Sequence, residues 1–116
     1  MYNSFSLDKY KDICGNDKEL MRELVQIFIN NYQKDLDALQ ESLNSGSKLE
    51  MAKKAHKLKG SLKTFYAEKS VALLQNLEDK ISSDDFSDMD VLVKEIINQI
   101  ANLKDDMNSF MKVADK

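Results

Sequence analysis

The chain has 116 residues, 42 % of them hydrophobic and 32 % charged, with a formal net charge of −3. That length supports a buried core without metal or disulfide staples, the mild acidity argues against nucleic acid as a partner, and no apolar run approaches the roughly 20 residues of a membrane span. The single cysteine, Cys14, has no internal disulfide partner, and the start "MYNSFSLDKY" lacks the basic-then-apolar order of a signal peptide. The expectation is a single domain over 1–116 in a reducing cytoplasm, with Cys14 buried as a small apolar residue.

With no proline and three glycines, few breakers interrupt the chain and long helices are favoured. "SFSLDKYKDIC" reads as a short helical piece ended by Gly15, which suits the left-handed position after a helix. Asn16 or Asp17 then caps a long helix with the apolar stripe Leu20, Leu24, Ile27, Phe28, Leu36, Leu39 and Leu43. Gly46 breaks it, and Ser47 with Glu50 three residues on has the form of a capping box. The helix that follows carries Met51, Ala55, Leu58, Leu62 and Phe65. Another starts near Ala67, with Val71, Leu74, Leu77 and Ile81 inward. "SSDDFSD" is a polar linker in which Ser87 and Asp90 are the candidate cap of the last helix, whose stripe is Val93, Ile96, Ile97, Ile100, Leu103, Met107 and Phe110. The pattern predicts an all-α fold, an antiparallel four-helix bundle with a short extra helix at the N-terminus. The stripes and the six methionines read as core.

Charge is unevenly placed. Residues 48–69 hold seven lysines against Glu50 and Glu68, in a chain otherwise acidic on both flanks. The only histidine, His56, lies in this segment. At about 100° per residue, Leu58 and Phe65 fall about 200° and 180° from it, so His56 points away from its helix's apolar stripe. Its neighbours on that face are Ala52, Lys53, Lys59, Gly60 and Lys63. A glycine in mid-helix costs about 1 kcal/mol relative to alanine, and clearance beside the imidazole is the simplest reason for it.

From the residues alone, His56 reads either as an incidental surface histidine beside a solvated lysine face or as a nucleophile. A buried histidine conflicts with the angle. A metal ligand lacks companions: there is no second histidine and no Glu-x-x-His pattern. A triad stays open, although no Gly-x-Ser-x-Gly elbow is present. Nucleophilic chemistry suits a neutral imidazole, and ammonium groups nearby would balance the roughly −1.5 to −2 charge of a phosphoryl group.

The stretch "AHKLKGSLKTFYAEKSVALLQNLED" resembles the signature of histidine-containing phosphotransfer (HPt) domains, carriers in two-component phosphorelays, at Ala55, His56, Leu58, Lys59, Gly60, Ser61, Ala67, Leu74, Leu77 and Glu78. The upstream "DKELMRELVQIFINNYQKDLDALQESLNSGSKLEMAKKAH" resembles the family's preceding helix and turn, so the likeness covers nearly the whole chain. It implies a four-helix bundle with His56 exposed midway along one helix. It also implies that His56 Nε2 accepts phosphate from a receiver-domain aspartate and passes it to another receiver. Lys59, a solvated side chain, would contact the phosphoryl oxygens; Gly60 would open the surface to the receiver; Ser61 would make a local hydrogen bond. Glu78, on the neighbouring helix, falls where some family members, the chemotaxis kinases' phosphotransfer domains, place a glutamate that accepts the imidazole Nδ1 proton; a plain solvated glutamate is its other reading. The implied partners are response-regulator receivers and a sensor or hybrid histidine kinase. Such a protein is a phosphoryl carrier rather than an enzyme, has no cofactor of its own, and relies on Mg²⁺ held by the receiver. A phosphotransfer-inactive helical adaptor is the alternative, and an unrelated bundle with acidic lipid or RNA on its lysine face a third reading. The lysine-only segment lacks the aromatic or arginine interleaving the third requires. One departure stands out: Tyr66 occupies the family's usual glycine position, which implies a different local backbone or a modified turn after Phe65.

Overall fold

The structure, a computed structural model, describes residues 2–114. Five helices follow in chain order: α1 (Leu7–Ile13), α2 (Lys18–Ser45), α3 (Lys48–Lys63), α4 (Glu68–Ser82) and α5 (Met89–Ala114). Each start has a local cause where a side chain caps it. The Ser6 hydroxyl accepts from Lys9 N, the Asp17 carboxylate from Leu20 N, and the Ser47 hydroxyl from Glu50 N, each taking up an amide the helix leaves unbonded.

The ends share one device. After α1, α2, α3 and α4 the chain closes a paired turn, in which one amide reaches back five residues and its predecessor three. The residue at the left-handed position of these turns is Gly15 (φ 62), Gly46 (φ 72), Tyr66 (φ 55) and Asp84 (φ 55) respectively. Tyr66 therefore does not divert the backbone, contrary to the expectation from the missing glycine. It adopts the conformation glycine would supply, against the clash of its own Cβ.

Tight turns make sequential helices antiparallel neighbours. α2 and α4 each pack against both α3 and α5, closing a four-helix ring. The molecule measures 47 × 21 × 20 Å, its long axis close to the roughly 42 Å of a 28-residue helix at 1.5 Å per residue. α1 closes one end. Tyr10 there is wholly buried, with its ring centroid 5.1 Å from that of Phe65 and 6.4 Å from that of Phe110, and its hydroxyl donates to Met21 O at 2.6 Å. Burial pushes the Tyr10 hydroxyl far above its ordinary value. Cys14 is free and buried beside it, and its thiol is raised chiefly by the same desolvation.

The predicted stripes of α3, α4 and α5 are core, with Val71 and Ile97 only half-buried and Met89 and Leu92 additional members. In α2 the first turns differ from expectation. Leu20 and Ile27 are exposed, and Met21 and Val25 fill the core beside Phe28. The helix carries two apolar stripes about 100° apart at the same four-then-three spacing, and only the one turned to α3 and α5 is covered. The expected Ser87 cap also fails to form: α5 begins two residues later, and the Ser87 amide and hydroxyl both donate to the Asp85 carboxylate. Those bonds hold the exposed Asp85 carboxyl below its usual range.

Candidate functional site

His56 sits in the middle of α3 with its side chain 77 % exposed, as its angle from the apolar stripe predicts. Ala55 before it and Leu58 after it are buried, and these fix the helix face that carries the ring. One turn on, Gly60 is in open space: a Cβ built there meets nothing within 4 Å. Internal packing therefore gives no reason for the glycine, and its effect is a gap in the side-chain cover next to the imidazole. Ser61 bonds locally, its hydroxyl donating to Lys57 O at 3.3 Å.

The α3–α4 turn folds α4 back along α3 and sets Glu78 opposite His56. Glu78 Oε1 lies 3.5 Å from His56 Nδ1, buried and without a hydrogen-bond partner. The second oxygen, Oε2, accepts from Lys59 Nζ at 2.8 Å. The contact to the ring is longer than a formed hydrogen bond. A lone buried carboxylate oxygen at that place favours the tautomer with its proton on Nδ1, which leaves the Nε2 lone pair free.

Lys59 departs from the solvated side chain expected of it. It is 9 % exposed, laid against α4, with its ammonium held by Glu78 and by Gln75 Oε1 at 2.9 Å. A charge so far withdrawn from water needs such acceptors. The other lysines stay at the surface: Lys57 pairs with Asp35 across to α2 at 3.0 Å, and Lys53 and Lys54 are loosely paired with Glu50.

Beside the histidine face, between α2 and α3, runs an apolar groove of about 390 Å³ lined by Leu24, Ile27, Phe28, Tyr32, Leu58 and Phe65, with the Lys57–Asp35 pair on its rim. The structure thus brings His56, Lys59, Gly60 and Glu78 together. Gln75, Asp35 and the groove were not picked out in the sequence. The signal for the groove is the second apolar stripe of α2; the signal for Gln75 is its place three residues before Glu78, on the same face of a helix. Among the described residues no helix is long and apolar enough to cross a membrane.

The Hpt domain family model matches residues 23–106, a span that includes α3, α4 and the whole constellation. No curated protein sequence matches the chain. Among solved structures, the fold is similar to the crystal structure of histidine-containing phosphotransfer protein B (HptB) from Pseudomonas aeruginosa PAO1, with a TM-score of 0.88 over 97 % of each chain at 13 % sequence identity. At that identity the likeness speaks for the bundle alone, while the sequence match over most of the chain speaks for descent. This chain belongs to the Hpt domain family, the histidine phosphotransfer domains of two-component phosphorelays.

Proposed function

We propose that His56 is the phosphoryl acceptor and donor of this domain, with Glu78, Lys59 and Gly60 as its immediate support. The observation that carries the reading is the pairing of an exposed imidazole with a buried, otherwise unpartnered carboxylate oxygen on its Nδ1 side. In the forward step the Nε2 lone pair attacks the phosphorus of a receiver's aspartyl phosphate. The N–P bond forms, the P–O bond to the aspartate breaks, and the carboxylate leaves. The Nδ1 proton stays in place, and Glu78 balances the positive charge the ring acquires. The step is reversible, so the same geometry returns the group to the aspartate of another receiver.

The chain supplies a positioned nucleophile and countercharge; Mg²⁺ on the receiver supplies most of the stabilisation of the metaphosphate-like group. Lys59, one turn from His56 and bridged towards it through Glu78, provides positive charge near the phosphoryl oxygens. The exposed lysines of α3 act over a longer range, steering approach to an acidic receiver pocket. The groove between α2 and α3 is the docking surface, and the bare Gly60 admits the receiver's loop. Response-regulator receivers and a sensor or hybrid kinase are the partners in this reading, and the cytoplasm is the compartment. A binding-only adaptor would need neither the nucleophile nor the gap beside it.

Incubation with a receiver charged by acetyl phosphate is expected to label the chain in an acid-labile, alkali-stable form, and His56→Gln to abolish the label while leaving helicity unchanged. Labelling that persists in His56→Gln would remove the assignment.

A further inference from the structure

Gln75 has no part in the mechanism above, yet its amide oxygen is one of the two acceptors holding Lys59. An ammonium has three N–H donors and no acceptor. Lys59 is almost withdrawn from water, so the placement of its acceptors decides where its charge sits. Both come from one face of α4, Gln75 and Glu78 being three residues apart. The Gln75 amide is itself oriented: its Nε2 donates to Asp79 Oδ1 at 2.9 Å, and this turns its oxygen to the lysine. The result is a chain of contacts from Asp79 through Gln75, Lys59 and Glu78 to His56 Nδ1, ending on the single carboxylate oxygen that nothing else uses.

We propose that Gln75 is a positioning residue for phosphoryl transfer: by sharing the Lys59 ammonium it confines that lysine to Oε2 of Glu78 and reserves Oε1 for His56 Nδ1. Without the amide oxygen, Lys59 has one acceptor group left. A desolvated ammonium with spare donors draws on both oxygens of a carboxylate, or leaves for solvent and frees the carboxylate to turn; either way the hold on Nδ1 weakens. An amide does this work without charge, so it adds no repulsion where a dianionic phosphoryl group must arrive. The inference rests on His56 being the acceptor, and it concerns only what keeps that imidazole in its reactive tautomer.

The test compares Gln75→Leu, which keeps the volume but removes the acceptor, with Gln75→Glu, which keeps an acceptor oxygen. Gln75 is exposed overall, so neither change disturbs the core; circular dichroism checks this. In wild type, ¹⁵N NMR of the imidazole at a pH where the ring is neutral is expected to show the proton mainly on Nδ1. Gln75→Leu is expected to shift that balance towards Nε2 and to slow transfer from a charged receiver by about tenfold; Gln75→Glu is expected to keep the wild-type tautomer. A Gln75→Leu protein with unchanged tautomer balance or unchanged rate overturns the inference, as does a Gln75→Glu protein that loses the tautomer equally. Failure of wild type to accept phosphate on His56 would instead overturn the underlying assignment, so the two failures are told apart.

Discussion

Gly60 and Lys59 stand side by side in α3 and show how differently two residues of one motif are determined. Gly60 lies in a helix interior with open space where its Cβ would be, so within the fold it only weakens the helix. Gly60→Ala is therefore expected to raise the unfolding free energy by about 1 kcal/mol. Gly60→Gln, also a good helix former, is expected to keep most of that gain yet slow transfer from a charged receiver by about tenfold, because its side chain fills the gap. Denaturant titration and rapid-quench transfer assays measure the two effects separately; a glutamine variant with the wild-type transfer rate would show that the gap serves nothing. The outward turn of His56 and this gap were both legible, since they follow from the angular position of residues on one helix. The burial of Lys59 was not. It depends on which flank of α3 meets α4 and on Gln75 and Glu78 being there to receive a charge, and no single helix's periodicity carries that information.

At the scale of the elements, the helix ends matter most. Starts at Asp17 and Ser47 were readable because a capping side chain acts on its own next turn, whereas Ser87 was misread because a nearby carboxylate competes for the same hydroxyl. The α3–α4 turn is the informative case. Tyr66 occupies a left-handed position at φ 55, where a side chain costs roughly 1–2 kcal/mol. The turn survives because Ala67 and Phe65 on either side are buried and because the Lys9 ammonium sits 5.7 Å from the Tyr66 ring centroid. Tyr66→Gly is expected to raise stability by about 0.5–1 kcal/mol, the relief of strain exceeding the added chain entropy. Tyr66→Ala, which keeps the strain and loses the ring contact, is expected to lower it. Thermal unfolding of the pair decides; equal changes in both would mean the backbone there is unstrained. The turn's shape also fixes how α4 returns along α3, and hence where Glu78 meets His56.

For the whole molecule, the bundle and its number of helices were legible from the apolar stripes and short breaks. The choice of face in α2 was not, because Leu20, Leu24 and Ile27 repeat with the same spacing as Met21, Val25 and Phe28. Two stripes on a helix with room to bury one leave an apolar strip at the surface, and here Leu24 and Ile27 of that strip line the groove between α2 and α3. The opposite requirement governs the end closed by α1, where Tyr10 must stay neutral. Its hydroxyl is raised above the ordinary value of 10.0 by burial, so the folded state holds a proton that the unfolded state gives up first. Stability from this group is fully present below about pH 10 and is lost as pH rises from there towards the folded value. Tyr10→Phe is expected to cost about 1 kcal/mol at neutral pH through the lost bond to Met21 O and to flatten part of the alkaline decline. Denaturation curves taken on both sides of pH 10 check this, and an equally steep decline in the phenylalanine variant would contradict it.

The most direct measurement on the central claim is the regiochemistry of the phosphorylated chain. Two-dimensional ³¹P–¹H NMR of protein charged by a phosphorylated receiver is expected to place one phosphoryl group on Nε2 of His56, with the proton retained on Nδ1 facing Glu78. A phosphoryl group on Nδ1, on any other side chain, or on none at all would contradict the account.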